Sequence, residues 1–438
     1  MPHTRRSFVK TVTAATAGAS LASIPAASYA RILGANERMR IGVLGCGRLA
    51  RGHTRGLSRR DDAQVVALAD VYQPNLDAIQ ANAPGADTYR DFRQVLDRDD
   101  IDIAFIAAPD HWHPLMAVMA ADSGKHVYVE KPTSVAVHEG RKMVEAARRN
   151  DRRMQVGTQQ RSQYHFQEVV DLVQSGILGE VSMVRCWNYS NNYPNGMGNP
   201  ADTAPPDGLD WDLWLGPARE VPFNINRFGV VLNEEGDYQR WSSFRHFWDY
   251  AGGMMTDWGV HHLDIMQWAM GVDAPTQVSA VGGKFYLQDN RDTPDTLLTT
   301  YQYPGFVCIY ENRLCNGHPL GEQGYGLQFH GTKATLFVNR QFYEVVPERG
   351  SDVKPVRKEA WGGGVTEHFT DLFGAIRDGR NPLSDIEHGH RSSSTAILGT
   401  LAYRTGTSLA WNGATEQSDN DAVNAMLMRE YRQPWSLG

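Results

Sequence analysis

An acid and an imidazole, placed just after two glycines, have the types and spacing needed for proton transfer. Asp257 and His261 stand four residues apart in GGMMTDWGVHHLDIMQW, just after Gly252 and Gly253. A helix that begins near these glycines would place both side chains on one face. Histidine takes a proton from an alcohol near neutral pH, and a carboxylate orients the ring and raises its basicity. The pair therefore predicts acid–base chemistry on a hydroxyl group.

Lys131 is a candidate to act on the same hydroxyl group. It lies in VEKPTS, where Glu130, Lys131 and Pro132 follow an apolar, strand-like run. The carboxyl end of a parallel strand is the edge where ligands of such sheets bind. A lysine cation beside a hydroxyl lowers the pKa of that hydroxyl and favours the developing alkoxide. A solvated surface lysine is the alternative.

A glycine-rich loop near the start of the chain predicts a dinucleotide site. In IGVLGCGRLA, Gly45 permits a tight turn, Gly47 lets the backbone approach a pyrophosphate, and Ala50 lets the next helix pack on the sheet. Asp70 ends the following strand, 20 residues past Ala50. Its carboxylate would accept hydrogen bonds from the ribose and repel a 2'-phosphate, which favours NAD over NADP. Arg48 leaves NADP open, because an arginine can receive that phosphate.

The elements that must position these groups form two predicted domains of an α/β protein. From Met39 to Gln159, apolar strand-like runs alternate with helical patterns, which is typical of a parallel, doubly wound sheet. Later runs such as EVSMVRCWNY, DTLLTTYQYP and FVCIYENRL predict an α+β domain with a large, mostly antiparallel open sheet. The predicted boundaries are 31–160 for the Rossmann dinucleotide-binding domain and 161–438 for the substrate domain, with a long loop at 191–208.

Residues 1–30 are interpreted as an export signal. Arg5 and Arg6 precede a short apolar run from Val12 to Ile24, and Ser28 to Ala30 supplies small residues suited to cleavage. The twin arginine followed by SFVK resembles the Tat signal, which moves folded proteins across a membrane. An ordinary secretory signal is the alternative. The pattern predicts a periplasmic or otherwise exported protein, with the Tat machinery as a partner and no stable membrane insertion.

Composition favours small-molecule chemistry. The 438 residues carry a formal net charge of -7, which gives no electrostatic reason to expect nucleic acid as a partner. Four cysteines without a CxxC pair predict no disulfide framework. A metal site is the alternative for His111, His113 and the acid and imidazole cluster around Asp257 and His261. The nucleotide scaffold already explains the first histidine pair, so no metal is predicted.

These motifs resemble the Gfo/Idh/MocA family, which includes glucose-fructose oxidoreductase and inositol dehydrogenase, from about Met39 to the C-terminus. The resemblance implies NAD(P)-dependent hydride exchange between nicotinamide C4 and a hydroxyl-bearing carbon of a sugar, glycoside or polyol. It implies that Lys131, Asp257 and His261 are catalytic. Glucose-fructose oxidoreductase has a tyrosine in place of His261, so dehydrogenase-like chemistry is favoured. The residues assigned to the cofactor are Gly45, Gly47, Arg48, Leu49, Ala50, Asp70, Pro109, His113, Glu130 and Lys131.

Four further residues are predicted to contact the substrate. Gln160 and Arg161 lie just past the sixth strand, and Arg245 and Trp248 come shortly before the catalytic segment. A structural role is the alternative for each. The family's broad sheets commonly pair face to face, so a homo-oligomer is expected, and residues 31–38 are interpreted as an arm that helps to hold the nucleotide.

An export signal on a nucleotide-binding protein constrains the reaction. NAD is useful outside the cytoplasm only if it is tightly bound and returns to its starting state within the same site. The first hypothesis is a sugar oxidoreductase that regenerates NAD on a second carbonyl compound. The second is a redox-neutral glycosidase, in which transient oxidation at C3 permits elimination of the glycosidic bond. A sugar-binding protein without catalysis is the third, and the intact Lys131, Asp257 and His261 argue against it.

Overall fold

The computed structural model describes residues 38–232, 235, 237–240 and 242–438. The predicted export signal at 1–30 and the predicted arm, apart from Arg38, lie outside the described residues. No helix among the described residues is long and apolar enough to cross a membrane. All four cysteines are free thiols.

A six-stranded parallel sheet forms the first half of the chain. Its strand order is β3-β2-β1-β4-β5-β6, so the order reverses between β1 and β4 and a crevice opens at their carboxyl ends. Every neighbouring pair is parallel. Strands β1 to β6 are Met39–Leu44, Ala63–Ala69, Asp87–Tyr89, Ile103–Ile106, His126–Val129 and Met154–Val156.

Helices cover both faces of this sheet, as its apolar strands require. Val43 and Phe105 face one apolar core, and Leu44 and Ile106 face a second core on the other side. Helices α1 to α5 are Arg48–Leu57, Gln73–Gln80, Arg93–Leu96, His113–Asp122 and Val137–Arg149, with 3-10 turns at Asp110–Trp112 and Gln159–Ser162.

A ten-stranded sheet forms the second half. Its order is β16-β15-β14-β13-β7-β12-β11-β10-β17-β18, and all pairs are antiparallel except β7 with β12. The predicted α/β fold class with a Rossmann domain and a large, mostly antiparallel sheet is therefore confirmed. Strands β7 to β18 are Val181–Tyr189, Val231–Leu232, Tyr238–Arg240, Gln277–Gly283, Thr296–Tyr303, Phe306–Arg313, Tyr325–Gly331, Ala334–Val338, Phe342–Pro347, Val356–Glu359, Leu409–Asn412 and Gln417–Ser418, of which β8 and β9 form a separate pair.

Three helices, α6, α9 and α11, pack on one face of the ten-stranded sheet. The alternation in β11 explains the packing, because Leu297 and Tyr301 are buried in this core while Leu298 faces outward. Helix α10 packs its Phe369 and Phe373 on the first-domain core instead. Helices α6 to α12 are Tyr164–Gln174, Trp211–Leu215, Ile225–Phe228, Val260–Met270, Val365–Asp378, Ile386–Thr405 and Asp421–Asn424, with a 3-10 turn at Ser243–His246 and a π-helical turn at Met255–Gly259.

Residues 208–245, here called the cover segment, cross back to the first domain. The Gly208 carbonyl accepts hydrogen bonds from the Gln73 backbone nitrogen at 3.0 Å and from Arg90 Nη2 at 3.1 Å. The Asp210 backbone nitrogen donates to the Val71 carbonyl at 2.9 Å. An aromatic cluster gives the described part of this segment and the residues just after it a core of their own. Its fully buried members are Trp214, Phe223, Phe228, Phe244, Phe247 and Tyr250.

Candidate active site

The strand ends of the six-stranded sheet bring the predicted groups to one edge. Because the strands are parallel, the residues after β1, β2, β4 and β5 meet there and line a cleft. The open space of the cleft, including its mouth, is about 1030 Å³. Ala50 is buried behind the loop and packs in the core. The predicted cofactor residues that line the cleft are Gly45, Gly47, Arg48, Leu49, Asp70, Pro109, His113, Glu130 and Lys131.

The glycine loop has the shape of a phosphate cradle. Gly45 has a φ of +88°, and a Cβ added there would lie 2.6 Å from the Ala108 backbone nitrogen, so only glycine fits. A Cβ at Gly47 would meet nothing within 4 Å, so this backbone faces open space. Helix α1 begins at Arg48, and its N-cap residue, Gly47, has no side chain that could bond to the first-turn amides. The first-turn amides therefore remain to bind an anion, and the loop fits a dinucleotide pyrophosphate.

Asp70 is held in place by hydrogen bonds at the end of β2. Its carboxylate accepts from the backbone nitrogens of Cys46 at 2.7 Å and Tyr72 at 2.8 Å, and from Asn75 Nδ2 at 3.2 Å. Burial raises the pKa of Asp70 to about 6, and the three donors oppose that rise. A carboxylate has about four lone-pair positions, so one remains to accept a hydrogen bond from a ligand hydroxyl.

Lys131 and Asp257 form an ion pair between the two halves of the chain. Lys131 Nζ donates to Asp257 Oδ1 at 2.7 Å and to the Asp257 carbonyl at 3.0 Å. Arg245 Nε lies 2.9 Å from the same Oδ1. Burial raises the pKa of Asp257, but the charges of Lys131 and Arg245 outweigh burial and hold it below its usual range. Asp257 therefore stays ionised and fixes the ammonium at the cleft.

The helix that carries Asp257 and His261 begins differently from the sequence-based expectation. Asp257 lies in the π-helical turn, and His261 is the second residue of α9. A π turn is wider than an α turn, but residues four positions apart still lie on roughly the same side of it. Within the described part of the chain no hydrogen bond joins them, and His261 Nδ1 is buried without a partner. The prediction that both side chains lie on one face of a helix stays a prediction, and the helix that carries them begins with a π turn.

His261 is neutral. Burial and the positive charges of Lys131 and Arg340 hold the pKa of His261 well below its usual range, although Asp257 opposes them. A neutral imidazole has one nitrogen free to accept a proton. His261 can therefore act as a base without first losing a proton of its own, close to the Lys131–Asp257 ion pair.

Two buried side chains fix the loops around Lys131. His113 places Nδ1 at 2.7 Å from the Pro132 carbonyl and Nε2 at 2.8 Å from the Ala108 carbonyl. These contacts tie the loop after β4 to the loop after β5. Glu130 accepts a hydrogen bond from the Tyr128 hydroxyl at 3.0 Å beneath the cleft. Both side chains also line the cleft, so they position the strand ends that a nicotinamide would meet.

Tyr238 of the cover segment closes the Asp70 end of the cleft. Its hydroxyl donates to Asn75 Oδ1 at 3.0 Å, and Asn75 in turn donates to Asp70. The Arg51 guanidinium lies 5.2 Å from the centre of the Tyr238 ring. A ligand whose adenosine reached Asp70 would therefore lie beside contacts made by both domains.

Arg245 alone of the four predicted substrate residues lines the cleft. Arg161 forms a buried ion pair with Asp264, in which Nε lies 2.8 Å from Oδ2. The preceding residue, Gln160, is also buried. Trp248 packs beside the last turn of α11. The assignment of Gln160, Arg161 and Trp248 to substrate stays a prediction.

The histidines of the alternative metal site make other contacts. His111 Nε2 lies 3.1 Å from the Trp214 carbonyl, and both ring nitrogens of His113 face backbone carbonyls. Among the residues that the structure describes, no group of three or more histidine, cysteine, aspartate or glutamate side chains could hold a metal ion.

Sequence patterns miss several polar side chains of the cleft, among them Asp110 and Tyr238. Asp110 directly follows Pro109 at the end of β4, so the strand-end rule that identifies Lys131 also applies to Asp110. Tyr238 reaches the cleft through the fold of the cover segment, and no local spacing indicates that contact.

Two consecutive segments of the chain match family models. Residues 39–158 match the model described as "Oxidoreductase family, NAD-binding Rossmann fold". Residues 162–303 match the model described as "Oxidoreductase family, C-terminal alpha/beta domain". The two matches together cover more than half of the chain.

Individual proteins of similar sequence match this chain at low identity and over part of its length. A "Glycosyl hydrolase family 109 protein" of Shewanella baltica is 29% identical over 203 residues, which is 40% of this chain and 44% of that protein. The match therefore spans less than half of either chain.

Solved structures share the fold over most of the chain. WlbA dehydrogenase from Bordetella pertussis, in complex with NADH and UDP-GlcNAcA, is 20% identical with a TM-score of 0.62, over 86% of this chain and 99% of that one. Aldose-aldose oxidoreductase from Caulobacter crescentus, complexed with glycerol, is 19% identical with a TM-score of 0.62, over 85% and 99%.

Proposed function

Because this chain belongs to the Gfo/Idh/MocA oxidoreductase family, we propose that it oxidises and reduces a hydroxyl-bearing carbon of a sugar, glycoside or polyol with a tightly bound NAD. The observation that carries the proposal is the Lys131–Asp257 ion pair at 2.7 Å, whose Lys131 lines the same cleft as the glycine loop. Neighbours whose names include an aldose-aldose oxidoreductase and a dehydrogenase complexed with a sugar nucleotide support a sugar as the substrate class.

Different residues of the cleft would hold different parts of the cofactor. The open backbone at Gly47 and the uncapped start of α1 would hold the pyrophosphate. Asp70 would accept a hydrogen bond from the adenosine ribose, and its negative charge would repel a 2'-phosphate, which supports NAD over NADP. Lys131 and His113 would lie at the nicotinamide end. When bound, the nicotinamide accepts or returns a hydride at C4.

The chain's own residues would manage the proton and the charge on oxygen. Neutral His261 would take the hydroxyl proton while the carbon-bound hydrogen leaves with its electron pair. Lys131 Nζ would donate a hydrogen bond to the same oxygen and stabilise the negative charge that develops there. Asp257, whose Oδ1 also lies 2.9 Å from Arg245 Nε, would hold the ammonium at that position. In the reverse direction His261 returns the proton to the new alkoxide.

Export and retention complete the proposal. The twin-arginine pattern at Arg5 and Arg6 supports export of a folded, loaded protein to the periplasm. Tyr238 and the cover segment support retention, because they close the Asp70 end of the cleft with contacts from both domains. A retained cofactor must be reoxidised in place, so the enzyme would pair oxidation of one sugar with reduction of a second carbonyl compound. A homo-oligomer that pairs through the ten-stranded sheet stays a prediction.

Lys131→Met tests the chemical assignment. The variant removes the ammonium but keeps an unbranched apolar side chain, so it should retain cofactor while hydride transfer slows by about 10²–10³-fold. The measurement is the rate at which bound oxidised cofactor becomes reduced after mixing with D-glucose, myo-inositol or methyl β-D-glucoside. Lys142→Met, on the exposed side of α5, is the matched control and should react at the wild-type rate. Wild-type rates in Lys131→Met would overturn the assignment.

A redox-neutral glycosidase is the second candidate, and the similarity to a "Glycosyl hydrolase family 109 protein" favours it. The same Lys131, Asp257 and His261 would support transient oxidation of the sugar before elimination. Incubation with p-nitrophenyl glycosides distinguishes the candidates. Release of nitrophenol and free sugar with no net change in bound cofactor would establish the glycosidase. Formation of an oxidised sugar, with reduced cofactor waiting for a second carbonyl compound, would establish the oxidoreductase.

A further inference from the structure

Asp110 is a buried carboxylate that the proposed mechanism does not use. It opens the 3-10 turn after β4, is 1% exposed, and lines the cleft. Its Oδ2 is buried and has no hydrogen-bond partner within the described part of the chain. A buried polar atom without a partner is energetically unfavourable, so such an atom at a cleft indicates a ligand.

The neighbouring cations do not hydrogen-bond to this oxygen. Arg245 and Lys131 lie near enough to influence Asp110, but both contact the other carboxylate, Asp257, at 2.9 and 2.7 Å. The group of two cations and two carboxylates has no net formal charge. Burial raises the pKa of Asp110, and the positive charges of Arg245, His113 and Lys131 oppose that rise. A further positive charge in the cleft could therefore interact with Asp110 Oδ2, which has no hydrogen-bond partner among the described residues.

The sheet order places Asp110 toward the reacting end of a dinucleotide. Asp70 follows β2 on one side of the point where the strand order reverses, and Asp110 follows β4 on the other. In such folds the two halves of the dinucleotide lie on opposite sides of that point. Asp70 therefore marks the adenosine half, and Asp110 lies with Lys131 at the nicotinamide half.

We propose that Asp110 sets the oxidation preference of the bound cofactor, because its carboxylate stabilises the positively charged oxidised nicotinamide relative to the neutral reduced ring. The inference rests on the proposed function. Reduction brings two electrons and a proton to the ring from the substrate and cancels its positive charge, so the attraction to Asp110 is lost. A carboxylate a few ångströms from a cation in a partly buried site changes relative affinity by about tenfold or more. The resting enzyme thus favours NAD+ and begins its cycle by oxidising a substrate.

Competition for the site measures this preference without any substrate. The holoenzyme is incubated to equilibrium with equal concentrations of free NAD+ and NADH, freed of unbound nucleotide and denatured, and both forms are quantified. Asp110→Asn keeps the shape and removes the charge, so the bound ratio of NAD+ to NADH should fall by about tenfold. Asp110→Glu keeps the charge and should stay near the wild-type ratio. Asp378→Asn, which changes an exposed carboxylate at the end of α10 outside the cleft lining, is the matched control and should keep the wild-type ratio.

Each outcome decides the inference. A lower ratio in Asp110→Asn, with Asp378→Asn at the wild-type ratio, supports it. An unchanged ratio in Asp110→Asn overturns it, including the case in which substrate KM rises and Asp110 serves the substrate instead. An equal shift in Asp378→Asn also overturns it. If Asp110→Asn does not fold, Asp110→Ser decides by the same ratio. A wild-type protein that binds neither nucleotide would refute the proposed function itself.

Discussion

At the scale of single residues, one ion pair joins two segments that are 126 positions apart. Lys131 follows a strand of the first domain and Asp257 lies in a π-helical turn of the second. Arg245 shares the same carboxylate oxygen. This arrangement keeps Asp257 ionised, so its charge holds the ammonium at the cleft edge. The neutral state of His261 has the same origin, since Lys131 contributes to the positive field around the imidazole.

The pH dependence of hydride transfer should report the perturbed pKa of His261. Burial, Lys131 and Arg340 hold that pKa well below its usual range, so the neutral base persists as the solution becomes mildly acidic. Activity that needs a neutral base is lost as the pH falls through its pKa. The acidic limb of kcat/KM for oxidation should therefore lie below the value of about 6.5 expected of an ordinary histidine. The measurement is kcat/KM for cofactor reduction as a function of pH, with a sugar that saturates the enzyme.

Lys131→Met supplies the internal control for this profile. It removes one positive charge near His261, so the acidic limb of its residual activity should move toward higher pH. A wild-type limb near the ordinary histidine value that does not move in Lys131→Met would contradict the assignment of His261 as the base.

Sequence reasoning reaches some residues of this cleft and not others, for physical reasons. Gly45, Gly47, Asp70 and Lys131 follow strand ends, and a parallel sheet brings all strand ends to one edge. The partners of these residues depend on the packing of distant segments. Local spacing in the sequence therefore cannot reveal that Arg161 pairs with Asp264 in a buried contact.

At the scale of elements, the loop between β1 and α1 combines two different demands on glycine. Gly45 must adopt a positive φ against the Ala108 backbone, whereas Gly47 has φ of -67° and open space beside it. The first demand is conformational and the second concerns the ligand. The same element therefore contains a fold-determining glycine and a ligand-determining one, two positions apart.

Alanine substitutions should separate these two roles. Gly45→Ala should lower the free energy of unfolding by about 1–3 kcal/mol, because alanine is strained at that φ and its Cβ would contact backbone. Gly47→Ala should cost about 1 kcal/mol or less, since the change is at an uncapped helix start with free space. It should nevertheless abolish cofactor retention, because the methyl group takes the space of the pyrophosphate. Thermal melts and the dinucleotide content of the purified variants provide the measurements.

Equal loss of stability in the two variants, or normal cofactor content in Gly47→Ala, would contradict this division.

The π-helical turn at Met255–Gly259 is an element that local sequence patterns do not predict. The spacing of Asp257 and His261 is also compatible with an α-helix, and the wider turn forms in the context of the surrounding buried residues.

At the scale of the whole molecule, segments from the second half of the chain pack on the first domain beside the cleft. Helix α10 packs on the first-domain core although it follows the ten-stranded sheet in sequence. The cover segment also contacts the first domain, where the Tyr238 hydroxyl donates a hydrogen bond to Asn75 Oδ1. Apolar periodicity predicted both sheets, because burial of strands is a local pattern. These returning contacts depend on the shape of the assembled chain, and no local pattern specifies them.

Tyr238→Ala should release the cofactor faster. The variant loses the hydrogen bond to Asn75 and the ring beside Arg51, together worth about 1.5–2 kcal/mol, so NAD(H) should dissociate about 10–30-fold faster. Loss of bound dinucleotide over time, after dilution into nucleotide-free buffer, gives the rate. Tyr286→Ala, an exposed tyrosine outside the cleft lining, is the matched control and should release cofactor at the wild-type rate. An unchanged rate in Tyr238→Ala would mean that the cover segment does not retain the ligand.

The most direct measurement is the dinucleotide content of the purified protein. The chain from residue 31 onward is expressed, dialysed extensively against nucleotide-free buffer and denatured, and NAD(H) in the supernatant is assayed per polypeptide. Stoichiometric NAD(H) is expected, because a folded protein exported with its cofactor must keep it. An empty protein that binds and releases NAD freely would contradict the retained redox cycle and indicate a dehydrogenase that uses soluble NAD.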